Sequence, residues 1–280
     1  MIKTFFSLIL ITAFPLQAQE HLRMAPKPLY EFGLGGGYFR TPYYQGSEQY
    51  QTRSLGLPFF IYRGKIIKSD KDGGTRAEFF KQKGFRFDMS FSGGFSAKSS
   101  EIDARQGMPD LDWMGAVGPR IRWNFYRSRK WGAIFFNLPV RSVFVTDFKT
   151  TRDEGFLFHP NFTYKVDKVL FDNLDMIFRL GTIFSDRRYS EYYYEVSPKY
   201  ATSSRPEYQA KSGLLEEHFD IASAIRISPS WRLFAGVQYS QYNGVANKES
   251  PLLTAKNTLS WGVGIIWRMY ESEQRAGKWY

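Results

Sequence analysis

The sequence predicts an all-β protein: a transmembrane, antiparallel, up-and-down β-barrel of about 12 strands, with short periplasmic turns and longer outer loops. Three observations predict it. Apolar and polar residues alternate with a period of two along most of the chain, while the helical period is nearly absent. The alternating runs extend ~10–15 residues, beyond the ~5–6 of an ordinary globular strand and enough for the about 9–11 that cross a bilayer at a tilt. Short and long polar connections take turns between the runs.

Composition agrees. Aromatic residues make up 18% of the chain and charged residues 23%, and the mean hydropathy is negative. Aromatic enrichment without general apolarity suits strands with one face toward lipid and one toward water. A net charge of +11 raises nucleic acid as a partner, but Lys and Arg are scattered and no run of five basic residues occurs, so none is expected. The absence of cysteine excludes disulfides and thiolate metal sites. A soluble β-sandwich or lipocalin-like barrel is the alternative. Its aromatic outer faces would far exceed the few hundred Å² of contiguous apolar surface that a soluble monomer shows.

At the N-terminus, Lys3, the apolar run Phe5 to Phe14 and Pro15-Leu-Gln-Ala18 have the three parts of a secretory signal, so residues 1–18 are expected to be removed and 19–280 to form one domain. No later segment carries the ~18 apolar residues of a membrane-spanning helix. In the run 85–95, Phe85, Phe87, Met89, Phe91 and Phe95 oppose Arg86, Asp88, Ser90 and Ser92. Leu111, Trp113, Val117, Ile121, Trp123 and Phe125 oppose Asp112, Gly118, Arg120, Arg122 and Asn124. The pattern recurs with Phe156, Phe158, Phe162 and Tyr164 against His159, Asn161 and Lys165, and with Met176, Phe178 and Leu180 against Asp175 and Arg179. In the last run, Trp261, Val263, Ile265 and Trp267 take the lipid side, and Gly262, Gly264 and Arg268 the lumen. Trp and Tyr crowd the run ends, as at Trp113, Trp123, Trp131, Trp231, Tyr239, Tyr242 and Trp267, where interfacial girdles sit.

Tight turns are expected at Arg63–Lys65, Lys83-Gly84, Arg127–Lys130, Leu170–Asn173 and Ser228–Ser230. Longer loops are expected at 41–50, 69–75, 97–110, 149–154, 197–211 and 243–255. Ile66 to Lys68 is the weakest strand, and without it the count falls to ten.

Particular words then stand out. YEFGLGGGY at Tyr30 to Tyr38, followed by Pro42, Tyr44, Gly46, Ser47 and Tyr50 in a P-x-Y-x-G-S-x-x-Y arrangement, resembles the start of the MltA-interacting protein (MipA/OmpV) family. Tyr193, Tyr194, Ser197 and Pro198, then Ser228-Pro-Ser-Trp231, then Ser250 and Pro251 are similar to the family's YYGVSP, SPRW and DSP segments, in the same order. Two features depart from the pattern: Glu195 replaces a usual Gly, and the chain continues past Met269 to Tyr280. The resemblance implies a protein of the outer membrane, in contact with its lipid and lipopolysaccharide. It also implies a scaffold for a murein transglycosylase (a murein hydrolase) and a penicillin-binding protein, one member's role; others are linked to adhesion, permeability or osmotic response. Oligomeric state stays open.

Signs of chemistry are thin. His159 and His218 fall on polar faces near Glu216 and Asp220, which admits a hydrolytic pair, but no nucleophile has a recognisable setting, so a lumenal hydrogen-bond network is the better account. Gly33–Gly37 lacks the Lys-Ser/Thr ending of a phosphate loop. Asp70-Lys-Asp-Gly-Gly74 lacks the later acidic ligand of a calcium loop. No catalytic residue, cofactor or metal is therefore expected. Lumenal Arg86, Arg120, Arg122, Arg179 and Arg268 against Asp88 and Asp220 form charge ladders that either line a narrow anion-preferring path or plug the barrel. Loop tyrosines, including Tyr44, Tyr50, Tyr193 and Tyr194, are either partner anchors or girdle residues.

Overall fold

A computed structural model describes residues 28–63, 67–70, 74–82, 84–128 and 130–276. The expected signal (1–18), Tyr280, and parts of the Arg63–Lys65 turn and of the Asp70–Gly74 segment lie outside these residues. Thirteen strands are described: β1 (Tyr30–Pro42), β2 (Tyr50–Tyr62), β3 (Ile67–Asp70), β4 (Gly74–Gln82), β5 (Phe85–Gly94), β6 (Trp113–Ser128), β7 (Gly132–Thr146), β8 (Thr151–Phe158), β9 (Asn161–Val166), β10 (Leu174–Ser185), β11 (Gly213–Arg226), β12 (Trp231–Gln241) and β13 (Asn257–Glu271). One helix, α1 (Arg187–Tyr194), interrupts them.

All the pairings are antiparallel, and the order β2-β1-β13-β12-β11-β10-β8-β7-β6-β5-β4-β3 joins the first and last strands of the chain. β1 pairs with β2 along one edge and with β13 along the other, from Glu31↔Glu271 to Arg40↔Trp261. β2 and β3, the two ends of this order, lie in contact with each other. The ladder break at His159-Pro160 separates β8 from β9, since proline has no N–H to donate. Both strands lie between β7 and β10, so thirteen strands fill twelve places, the expected number. The weakest expected strand is β3, the shortest at four residues.

Short turns, the start of β1 and the end of β13 gather at one end of the barrel, and the segments 43–49, 95–112, 186–212 and 242–256 at the other. Two boundaries move from the sequence expectation. The loop expected at 149–154 shrinks to 147–150 because β8 begins at Thr151, and the one expected at 197–211 begins instead at Asp186 because α1 precedes it. Leu111, grouped by alternation with the β6 face, lies before the strand and is buried among loop residues.

Outward faces carry the apolar residues. Leu259, Trp261, Val263, Ile265, Trp267 and Met269 of β13 are exposed, and Trp267 stacks on Trp231 of β12 with ring centroids 5.4 Å apart. β2 reverses the rule: its outward positions include Thr52, Ser54, Gly56 and Pro58, while Leu55, Leu57, Phe59 and Ile61 point inward. The glycines of β1 and β13 make room for those inward rings. A Cβ on Gly33 would meet the Phe59 ring at 2.7 Å, and one on Gly262 would meet Phe39 at 2.5 Å.

Gly118 of β6 is the tightest of these positions, since a Cβ there would meet the Val140 carbonyl oxygen and lie 2.8 Å from Arg141 Cα. Backbone cannot step aside as a ring can. Gly118→Ala is expected to destabilise the barrel by about 1–3 kcal/mol, lowering the temperature at which the heat-modifiable gel band unfolds. Gly56→Ala, with open space around it, should leave that temperature unchanged.

Candidate functional site

The four long segments fold over and into the barrel mouth as a cap. In segment 43–49, Gly46 turns the chain at φ +81°, a conformation that costs glycine little. The Gly46 carbonyl then accepts from both Thr254 N and Ala255 N at 2.9 Å, while Glu48 N donates to Thr254 Oγ1 at 3.0 Å. The Tyr44 hydroxyl donates to the Leu252 carbonyl at 2.5 Å. Ser47 is buried and closes its own turn through Gln49.

Helix α1 lies across these segments. Asp186 caps it by accepting from Tyr189 N at 3.0 Å, and Arg187 pairs with Glu191 one turn on at 2.7 Å. Its tyrosines point into the cap: the Tyr189 hydroxyl donates to Gln45 Oε1 and that of Tyr194 to the Gln45 carbonyl, both at 2.8 Å. The Ser250 hydroxyl donates to the Tyr194 carbonyl at 2.7 Å. Two arginines secure carbonyl groups left over by the irregular backbone. Arg105 reaches the Tyr193 carbonyl at 3.2 Å, and Arg205 reaches those of Tyr200, Ala104 and Gln106. Tyr44, Ile102, Leu111, Tyr193, Tyr194 and Leu215 share a buried core with Val143, Leu157 and Ile183 of the strands, so the cap is continuous with the upper wall.

The sequence-selected motif residues, more than 200 positions apart, therefore come together here. Tyr44, Gly46, Ser47, Tyr193, Tyr194 and Ser250 are buried in the cap, while Pro42, Ser197 and Pro251 are half-buried and Pro198 exposed. Tyr50 stays outside this core, under the Arg40 guanidinium at 3.7 Å, and its hydroxyl accepts from Leu259 N at 3.0 Å. Tyr44, Tyr193 and Tyr194 are thus neither exposed anchors nor girdle residues. Tyr242, expected in the girdle, is buried against Glu216, to which its hydroxyl donates at 3.2 Å. Glu195 replaces the usual Gly at ordinary extended backbone, φ −78°, which any residue adopts. Burial also sets the ionisation of the cap. It pushes the Tyr44 and Tyr192 phenols up to about 12 and those of Tyr189, Tyr193 and Tyr194 further, and it lowers the Arg105 guanidinium.

Below the cap the inward faces meet as charge ladders. Arg120 grips Asp88 with two bonds of 2.7 and 2.9 Å, and Arg179 meets Asp220 at 2.8 Å. Arg122 donates to Asn137, which continues the network to Asn161 and Thr163. Arg86 stands opposite Arg122 in the β5–β6 register. Arg268 sits at the turn end, 2.6 Å from Glu271 and 3.5 Å from Glu31. His159 and His218 come together, Nε2 to Nε2 at 3.0 Å, with Glu216 Oε1 3.5 Å from the outer nitrogen of His218. No Ser or Thr hydroxyl among the described residues bonds either ring, and no cluster of three metal-ligating side chains occurs among them.

Sequence reasoning missed α1, Arg105, Arg205 and the polar contacts around Glu216. Asp186 at a cap position, Arg187 and Glu191 four apart, and Tyr189 and Tyr193 four apart are the signals that mark the helix.

Strand topology, outward aromatics and lumenal ion pairs together define a transmembrane β-barrel whose long segments pack together at one end. The chain belongs to the MipA family: the family model described as MltA-interacting protein MipA matches residues 34–269. Family and fold make it an outer-membrane β-barrel protein. No curated protein matches the chain. Among solved structures it is similar to the NanC porin, with a TM-score of 0.36 and 8% identity over 85% of this chain and 100% of that one. It is similar to the translocator domain of the autotransporter NalP from Neisseria meningitidis, with a TM-score of 0.35 and 10% identity over 89% and 91% of the two chains. A FadL homologue from Pseudomonas aeruginosa gives 0.33 and 7% over 87% and 91%.

Two outcomes follow for the cap. Its phenols titrate above the unfolded value of 10.0, so their contribution to stability is full below about pH 10 and is lost as pH rises through about 12. Phenolate absorbance is expected to rise late and steeply across that window. Tyr194→Ala, which removes a fully buried ring, should cost the cap about 3–5 kcal/mol and open the loop 186–212 to trypsin at Arg187 and Lys199, while the heat-modifiable barrel band persists.

Proposed function

We propose that the protein is a non-catalytic outer-membrane scaffold that holds peptidoglycan-remodelling enzymes, a murein transglycosylase and a penicillin-binding protein, at its periplasmic rim. Residues 1–18 are the export signal and 19–280 the single mature domain. The short-turn end faces the periplasm, and the outward apolar bands contact outer-membrane lipid and lipopolysaccharide. The observation that carries this reading is the cap: the long segments bury their family-motif tyrosines over the mouth, which disfavours an open pore. The family description, an MltA-interacting protein, supports the choice of partner.

The rim offers one contact suited to a protein. In the turn between β9 and β10, Leu170 is 84% exposed and Phe171 66%. Leu170 holds φ +62° in a three-residue turn closed by Phe171 N to the Val169 carbonyl at 2.6 Å. That conformation is strained for a branched residue, and strained exposed apolar tips mark functional surfaces.

Crosslinked envelopes should yield murein enzymes on pulldown of the wild type, and Leu170→Ser with Phe171→Ser should reduce that recovery several-fold. Repeated pulldowns without such enzymes would sink the scaffold. In planar bilayers the purified protein should stay silent, since stepwise conductance is the mark of the rival small-pore reading. His159→Ala and His218→Ala should leave recovery unchanged.

A further inference from the structure

We propose that the middle of the lumen holds a binding site for a small free oxyanion, a phosphate, sulfate or carboxylate, centred on Arg141. This site is independent of the scaffold reading.

Arg141 lies on β7 with its side chain inward, the position after outward-facing Val140. It reaches across β6 to Ser90 on β5, and its Nε and Nη2 donate to the one Ser90 hydroxyl at 3.0 and 2.8 Å. Gly118, paired with Ser90, makes the crossing passable, because a Cβ there would stand 2.8 Å from Arg141 Cα. A single hydroxyl thus fixes one edge of the guanidinium. Among the described residues Nη1 donates to no acceptor, and it is not among the sealed, unpartnered polar atoms, so it keeps some accessible surface.

Charge points the same way. Among the described residues Arg141 makes no ion pair, and the charged groups that act on it are cations, Arg120 and Arg179. Each of those has its own carboxylate, Asp88 and Asp220. Among the described residues, three guanidiniums therefore share two carboxylates, which leaves one cation without a carboxylate of its own in a setting where an unpaired charge is costly. Arg120 and Arg179 keep 13% and 23% of their side-chain surface accessible, so the centre is not filled solid. A planar guanidinium with free N–H groups matches an oxyanion in two-point contact, and two flanking cations add attraction without competing acceptors. The histidine pair stands beside the centre, with Arg141 and Arg179 among the groups acting on His159.

That neighbourhood supplies the reporter. The sequence has three histidines, and the third, His21, lies far from the site in the chain and serves as control. Full-length protein in phosphate-free maltoside micelles, with 13C-labelled histidine, is titrated with inorganic phosphate against chloride at matched ionic strength. The ring signals of His159 and His218 should shift saturably with phosphate and not with chloride, while His21 stays still. Arg141→Gln should weaken the apparent affinity at least roughly tenfold, as loss of a charge-assisted two-point contact requires. Arg141→Lys, which keeps the charge without the fork, should fall between, and retained heat-modifiable mobility shows that each variant is folded. Phosphatidylglycerol added to the micelles should leave both rings unmoved. The proposal is overturned if phosphate moves neither ring, if Arg141→Gln and Arg141→Lys both titrate like the wild type, or if only the lipid headgroup shifts the signals.

Discussion

The ladder between β1 and β13 is the contact on which the rest depends. In hydrocarbon no water is present to satisfy an unpaired backbone N–H or carbonyl, so a sheet edge of ten residues cannot stand open. Pairing Glu31 through Arg40 with Glu271 through Trp261 removes both chain-terminal edges at once. The same ladder decides what sits above it. β1 leads out into segment 43–49 and β13 is entered from segment 242–256, so closing the barrel places the Tyr44 and Gly46 turn against Leu252, Thr254 and Ala255. α1 then needs only to lie across that junction for Tyr189 and Tyr194 to find Gln45. Closure of the wall and closure of the mouth are in this sense one event.

The glycines of β1 belong to that account. Phe39 and Phe59 point into the lumen beside Gly33, Gly37 and Gly262, where any side chain would collide with their rings. A glycine-rich strand that loosely resembles a phosphate loop is thus a surface shaped to take inward aromatics. The reversed face of β2, with Leu55, Leu57 and Ile61 inward, gives the lumen one apolar wall opposite the Arg120, Arg141 and Arg179 wall. Paired charges across that second wall hold strands of different hairpins together, β5 to β6 and β10 to β11.

The barrel wall was legible in the sequence because a two-residue period is a direct image of a sheet with lipid on one side and a packed lumen on the other. Trp261 to Trp267 outward and Arg268 inward are read from nothing more. The cap was not legible. A tyrosine in a loop has the same local signature whether it anchors a partner, lies at the lipid interface or is buried, and only the β1–β13 ladder brings Tyr44 to Tyr194. The helix hid in eight residues, too short for a periodicity to accumulate, and the break between β8 and β9 hid because His159-Pro160 keeps outward parity across it. The histidine pair joins positions 59 residues apart through packing that spacing does not encode.

The burial of Tyr44, Gly46, Ser47, Tyr193, Tyr194 and Ser250 in a lid is the central claim, and it is open to direct measurement. Hydrogen–deuterium exchange of the protein in lipid nanodiscs reads each backbone amide. The cap account predicts that the amides of Ser47, Tyr189, Ser190, Leu253, Thr254 and Ala255, all hydrogen-bonded within or between the outer segments, exchange as slowly as those of the strands. Exchange of those amides at the rate of an unstructured peptide would contradict it.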